Sequence, residues 1–264
     1  METATSKDGT TIAFDRLGAG PALILVDGAL QYRAFDQGGA QLADLLAPHF
    51  TVVRYDRRGR GDSTDTQPYA VEREIDDIAA LINAAGGPAF VYGISSGASL
   101  AMEAAIKLGN KIKKLAMYEA PYNDDAVARQ AWKEYTKQLR ELLAADRRGD
   151  AVALFMMLVG ATGDQIDGMR QAPVWSLFEA VAPTLAYDHI ALLGDDASIP
   201  TERAARVAVP ALIMNGEASY PFMHVTAMAL ARAMPRAQHR ILEGQTHEVD
   251  PGALAPVLVE FFLA

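Results

Sequence analysis

The sequence predicts an α/β fold: a mostly parallel eight-stranded sheet with helices on both faces and an all-helical insertion. Three observations carry that reading. Short unbroken apolar runs such as Ala22-Leu23-Ile24-Leu25-Val26 suit strands covered on both faces, and they alternate with stretches whose apolar residues recur at helical spacing. The segment Ala89 to Leu100 passes from an apolar run through Gly93-Ile94-Ser95-Ser96-Gly97 into small and aliphatic residues with helical spacing. Between Pro121 and Arg206 strand-like runs stop and only helical patterns remain, until the sheet pattern resumes after Pro210.

Taken in order, Thr3 to Ser6 and Thr11 to Arg16 flank Asp8-Gly9, a dipeptide that favours a tight hairpin turn. Gly18-Ala19-Gly20-Pro21 breaks the chain before the strand Ala22 to Val26. A helix is expected over Gln37 to Leu46, a strand over Phe50 to Tyr55, and a helix over Val71 to Ala85, whose Ile75, Ile78, Ala79 and Ile82 form one stripe. The strand, turn and helix around Ser95 follow, and then a strand over Ile112 to Tyr118. In the insertion, Trp132, Tyr135, Leu139 and Leu142 recur at helical spacing, as do Trp175, Phe178, Val181 and Leu185. A strand from Ala211, a helix over Phe222 to Met234, a strand near His239 to Leu242 and a helix over Ala253 to Phe262 close the chain. The expected division is a core of residues 1–121 and 207–264, with residues 122–206 as a helical cap over the C-terminal edge of the sheet, where open α/β sheets bind ligands.

Composition narrows the function. At 264 residues, half of them hydrophobic, the chain can bury a sizeable core. A formal net charge of −9 without a basic block argues against a nucleic-acid partner, since Arg57-Arg58-Gly59-Arg60 is too small a cluster to track phosphates. The absence of cysteine excludes disulfides, thiolate catalysis and thiolate-bound metals. No apolar stretch spans a bilayer, and Met1 to Phe14 lacks the basic start and apolar run of a signal peptide. A cytoplasmic protein with a small-molecule substrate and no membrane partner is expected; the sequence leaves the oligomeric state open.

The turn at Ser95 has the form of a nucleophile elbow: strand, sharp turn, helix, with a serine at the apex. Gly93 and Gly97 let the backbone turn tightly and the helix pack close, and the Ser96 N–H opens the helix beside any oxyanion that forms. Together with Asp27-Gly28 after the third strand, Asp56-Arg57-Arg58-Gly59-Arg60-Gly61-Asp62-Ser63 after the fourth, Pro210 to Gly216 and Gly244-Gln245-Thr246-His247, the chain resembles the α/β-hydrolase superfamily. The resemblance implies the α/β-hydrolase fold with a helical cap, and chemistry that needs no metal or organic cofactor. It also implies Ser95 as nucleophile and His247, in the loop after the last strand, as base, with the N–H groups of Ala29 and Ser96 as oxyanion hole. Asp56 to Ser63 reads as a structural turn. His49, His224 and His239 read as surface or helix-flanking residues, and His189 lies in the cap, where it could face the site.

Two positions depart from the family's pattern. The usual acid follows the seventh strand as Gly-x-x-Asp, but Gly216-Glu217-Ala218-Ser219 places a serine there. A serine cannot stabilise an imidazolium as a carboxylate does. Glu119, at the end of the sixth strand next to the strand that ends in Ser95, is the first candidate for the acid, and Glu217 the second. Glu248 and Asp250 are assigned to capping the last helix near Pro251. If Glu119 is the acid, aspartate introduced at Ser219 is expected to change little. Asp27 stands where the family usually has histidine; it is expected to turn away from the oxyanion, or to be tied up by Arg33 or Arg57.

The leading expectation is a serine hydrolase that cleaves a small, largely apolar ester or lactone through a Ser-His-Glu triad and an acyl-enzyme. The alternatives are a cofactor-free lyase or perhydrolase on the same fold, or a non-catalytic small-ligand binding protein.

Overall fold

The computed structural model describes residues 1–264. Its sheet has eight strands: β1 Glu2–Thr5, β2 Thr11–Leu17, β3 Ala22–Val26, β4 Thr51–Tyr55, β5 Ala89–Ile94, β6 Ile112–Tyr118, β7 Ala211–Gly216 and β8 Ala237–Leu242. Their order across the sheet is β1-β2-β4-β3-β5-β6-β7-β8. β2 pairs antiparallel with β1 and β4, and every pairing from β4 onward is parallel. Each expected strand is present, with ends displaced by at most two residues.

Alternation along β3 shows why its residues are apolar throughout. Ile24 and Val26 join one buried cluster, with helices α2 (Val71–Ala84) and α3 (Ser96–Leu108). Leu23 and Leu25 join the other, under α1 (Gln37–Leu46) and α10 (Pro251–Leu263). A strand covered on both sides has no face left for polar residues.

The remaining helices are α4 Ala126–Ala144, α5 Arg148–Leu158, α6 Gly163–Arg170, α7 Val174–Val181, α8 Thr201–Ala204 and α9 Pro221–Ala233. Those from α4 to α8 lie between β6 and β7, where only helices were expected. Side chains fix several starts. Asp125 accepts from the N–H groups of Val127 and Ala128, Thr162 and Gln165 form a reciprocal cap, and Asp250 accepts from the Gly252 N–H at 2.8 Å. The last cap, with Pro251 in the first turn, starts α10 two residues before the expected Ala253. Tyr187–Leu192 forms a turn of π-helix, which no spacing in the sequence announced. No helix is long and apolar enough to cross a membrane.

The close packing of α3 on the sheet rests on Gly97, where a Cβ would overlap the carbonyl oxygens of Val26 and Asp27. Gly97→Ala therefore forces backbone apart at the end of β3. It should lower stability by about 2–3 kcal/mol in urea unfolding; an unchanged midpoint would contradict this packing.

Candidate active site

Three non-glycine residues at the C-terminal edge of the sheet hold positive φ: Leu30 at 61°, Ser95 at 54° and Glu119 at 48°. Such conformations cost about 1–3 kcal/mol each and persist only where the surroundings enforce them. At Ser95 the enforcement is visible: its N–H donates to the Tyr118 carbonyl at 2.9 Å, while its own carbonyl accepts from the Ala98 N–H at 2.9 Å to start α3. A Cβ on Gly93 would overlap the Gly97 carbonyl, so the strand and helix meet only because both positions are glycine.

Glu119 leaves β6 with its N–H on the Met214 carbonyl at 3.0 Å. Its side chain is fully buried, and its carboxylate accepts three hydrogen bonds. Oε1 accepts from the Gly216 N–H at 2.8 Å; Oε2 accepts from Ser219 Oγ at 2.9 Å and meets His247 Nδ1 at 2.7 Å. A carboxylate can only accept, so Nδ1 carries the proton and Nε2 is left as a base. Glu217, the second candidate acid, instead accepts from the Gly244 N–H at 3.0 Å. Ser219, where an aspartate was expected, orients Glu119. An aspartate there would face Glu119 with a like charge, so the structure argues against the expectation that Ser219→Asp changes little.

The loop carrying His247 is anchored from the end of β6 and from the loop after β7. Tyr118 Oη donates to the Thr246 carbonyl at 2.5 Å, and the Ala218 N–H donates to the Gln245 carbonyl at 2.9 Å. His247 remains about one-third exposed. It hydrogen-bonds Glu119 and makes no hydrogen bond to Ser95 in this structure.

On the other side of Ser95 lies the loop after β3. A Cβ on Gly28 would stand 3.1 Å from Ser95 Cβ, so the two backbones are adjacent. The Gly28 N–H donates to Gln31 Oε1 at 2.8 Å, whereas the N–H groups of Ala29 and Ser96 have no acceptor within the protein. Asp27 is buried but forms no ion pair, which overturns the expectation that Arg33 or Arg57 ties it up. Arg33 is committed to Asp15, Asp56 and Asp62, and Arg57 to Glu74 and Asp188. Burial and then the nearby charge of Asp36 push the Asp27 carboxyl up to about 7, against the pull of Arg54, Arg60 and Arg57.

The turn Asp56 to Ser63 is held as a structural element. The Asp56 carboxylate accepts from the Arg33 and Asp62 N–H groups at 2.7 and 2.9 Å, and Ser63 Oγ donates to the Asp56 carbonyl at 2.6 Å. Its three arginines all point inward. Arg58 forks onto Asp77, while Arg57 and Arg60 share Asp188, a buried residue of the π-helical turn. Asp188 carried no signal as a site residue, because its partners lie more than a hundred positions away. His189 beside it packs among Trp132, Tyr135 and Phe155, with Nδ1 on Tyr135 Oη at 2.6 Å. Burial lowers it to about 4, so it stays neutral at pH 7. His224 and His239 each bond the side chain of Asn215. A cleft of about 660 Å³ opens beside the His247 loop, between Glu248 and Val159, Ala161, Met169 and Ala172 at the ends of α5 and α6.

A profile of the Alpha/beta hydrolase family matches residues 18–257. The chain belongs to the Alpha/beta hydrolase family. It is a hydrolase of that family, with the family's eight-stranded sheet. The chain is 53% identical to an alpha/beta hydrolase from Sphaerobacter thermophilus DSM 20745, whose crystal structure it matches with a TM-score of 0.86 over 99% of this chain and 100% of that one. The enol-lactonase of Burkholderia xenovorans LB400 has the same fold at 21% identity and a TM-score of 0.72, covering 100% of both chains. A thermophilic esterase from Thermogutta terrifontis matches at 21% identity and a TM-score of 0.71, over 99% of this chain and 97% of that one. YraK of Bacillus subtilis (strain 168), named an uncharacterized hydrolase, is 31% identical over 121 residues, 42% of this chain and 41% of YraK.

The raised Asp27 fixes a sign for stability against pH. Between the ordinary carboxylate value near 4 and about 7, the folded protein holds a proton that the unfolded chain has released, so stability falls as pH rises through that window. Asp27→Asn removes the effect. Relative to the parent, the variant should gain up to about 3 kcal/mol in denaturant unfolding between pH 4.5 and pH 8; a difference independent of pH would contradict it.

Proposed function

We propose that this hydrolase cleaves a small, largely apolar ester or lactone through an acyl-enzyme on Ser95. The observation that carries the proposal is the 2.7 Å contact between His247 Nδ1 and the fully buried Glu119 carboxylate, next to the strained Ser95 turn. In this reading Glu119 sets the tautomer of His247 and stabilises its charged form. His247 Nε2 takes the Ser95 proton as Oγ attacks the acyl carbon, and the Ala29 and Ser96 N–H groups receive the oxyanion. The protonated imidazole then gives its proton to the leaving oxygen, and water attacks the acyl-enzyme by the reverse route. The missing Ser95–His247 hydrogen bond fits a site that tightens when substrate binds.

Residues 122–206 act in this proposal as a cap on a core of residues 1–121 and 207–264. The cleft beside Glu248 is the proposed approach for substrate, and Val159, Ala161, Met169 and Ala172 on its wall would suit an apolar acyl or alcohol group. The names of the Burkholderia lactonase and the Thermogutta esterase are consistent with a cyclic or open ester.

Glu119→Gln tests the triad directly. It keeps the shape of the side chain but loses the charge that orients Nδ1–H. Turnover of p-nitrophenyl esters should fall by about 10³–10⁴-fold, with fluorophosphonate labelling at Ser95 slowed in parallel. Unchanged turnover would remove Glu119 from the mechanism, and a parent protein that fluorophosphonate leaves unlabelled would favour a binding role.

A further inference from the structure

The peptide unit joining Gly28 to Ala29 is gripped from behind. Its carbonyl accepts from Arg60 Nη1 at 2.5 Å. Its N–H is that of Ala29, one of the two donors assigned to the oxyanion. A trans peptide is planar and its C=O and N–H point in opposite directions, so fixing one aims the other. A guanidinium on the oxygen also draws charge along the amide and strengthens its N–H as a donor.

The same Nη1 reaches the Gln31 carbonyl at 3.2 Å, so the loop is held on both sides of Ala29 and the positive-φ Leu30. Arg60 is in turn held from the segment between β6 and β7. Nη2 meets Asp188 Oδ2 at 2.5 Å, and Nε donates to Thr184 Oγ1 at 3.1 Å. The other Asp188 oxygen meets Arg57 Nη1 at 2.7 Å. That nitrogen also donates to the Asp27 carbonyl at 3.3 Å and lies 3.5 Å from Ser96 Oγ. Arg57 forks onto Glu74 with its remaining nitrogens. The four side chains are buried, two cations against two anions. One carboxylate on the π-helical turn thus steadies both arginines that hold the carbonyls behind the oxyanion loop.

We infer that Arg60, anchored by Asp188, is a positioning residue that aims and polarises the Ala29 N–H, and that seating of the cap sets this donor. The inference rests on the serine-hydrolase reading. A staple that only joined cap to core would affect folding and leave the chemistry of the carbonyl oxygen untouched.

Two variants separate these roles. Arg60→Met with Asp188→Asn removes one charge of each sign and leaves Arg57 with Glu74. Arg60→Lys keeps the charge but loses the fork that spans Asp188 and the two carbonyls. Each is assayed on an ester and on its thionoester, whose sulfur accepts poorly from N–H donors. Both variants should lower kcat on the ester by about 10- to 100-fold with little change in KM. The preference for ester over thionoester should shrink by a similar factor. A folded variant that keeps the parent's ester-to-thionoester ratio overturns the inference, and if the double variant does not fold, Arg60→Lys gives the same decision. Parent protein that fluorophosphonate fails to label at Ser95 overturns the underlying serine-hydrolase reading and this inference with it. Labelled parent with an unchanged ratio in the variants overturns this inference alone.

Discussion

A carboxylate buried away from water must find donors or lose its charge, and at Glu119 that requirement organises three loops. Desolvating a carboxylate costs several kcal/mol even after the protein relaxes. Here the Gly216 N–H, Ser219 and His247 supply hydrogen bonds, from the ends of β7 and β8 to the end of β6. None of these partners is close to Glu119 in sequence. They meet because β6, β7 and β8 are parallel neighbours whose C-terminal ends lie side by side. With this carboxylate at the end of β6, the β7 loop is left with the task of holding it.

The other half of the site is built on strain and close approach. Ser95 keeps its unusual backbone because β6 holds its N–H and glycines let α3 pack against the strand ends. The loop after β3 borders Ser95 directly, and its carbonyls are held by two arginines whose charges are balanced by Glu74 and Asp188. A buried four-charge cluster is weak evidence for stability, since apolar packing often does as well. What it supplies is direction: guanidiniums hold carbonyls at fixed angles, and a wholly apolar contact could not.

The sequence revealed most of the frame. Apolar runs, helical stripes and the Asp8-Gly9 hairpin signal placed the eight strands, and the Gly93-to-Gly97 turn placed Ser95. The position of Glu119 followed from neighbouring strands and the missing aspartate at 219. What it concealed were partners joined only by folding. Ser219 read as a loss and proved to be a donor to Glu119. One of the two alternatives for Asp27, a pairing with Arg33 or Arg57, fails because its chain neighbours say nothing about which of several arginines are already committed. Asp188 sits among ordinary residues of the segment between β6 and β7, and its two arginines read only as part of a structural turn. Tyr118 was counted as a strand residue, yet its hydroxyl anchors the loop of His247. Spacing along the chain reports faces of helices and strands; it carries no record of which charges meet between loops.

Proton NMR of protein labelled with ¹⁵N in histidine observes directly the proton that the Glu119 carboxylate, just past β6, holds on His247 Nδ1. A resonance is expected far downfield of the amide region, split by the ¹⁵N of His247, and absent from both His247→Ala and Glu119→Ala. A spectrum in which that resonance persists unchanged in Glu119→Ala would contradict it.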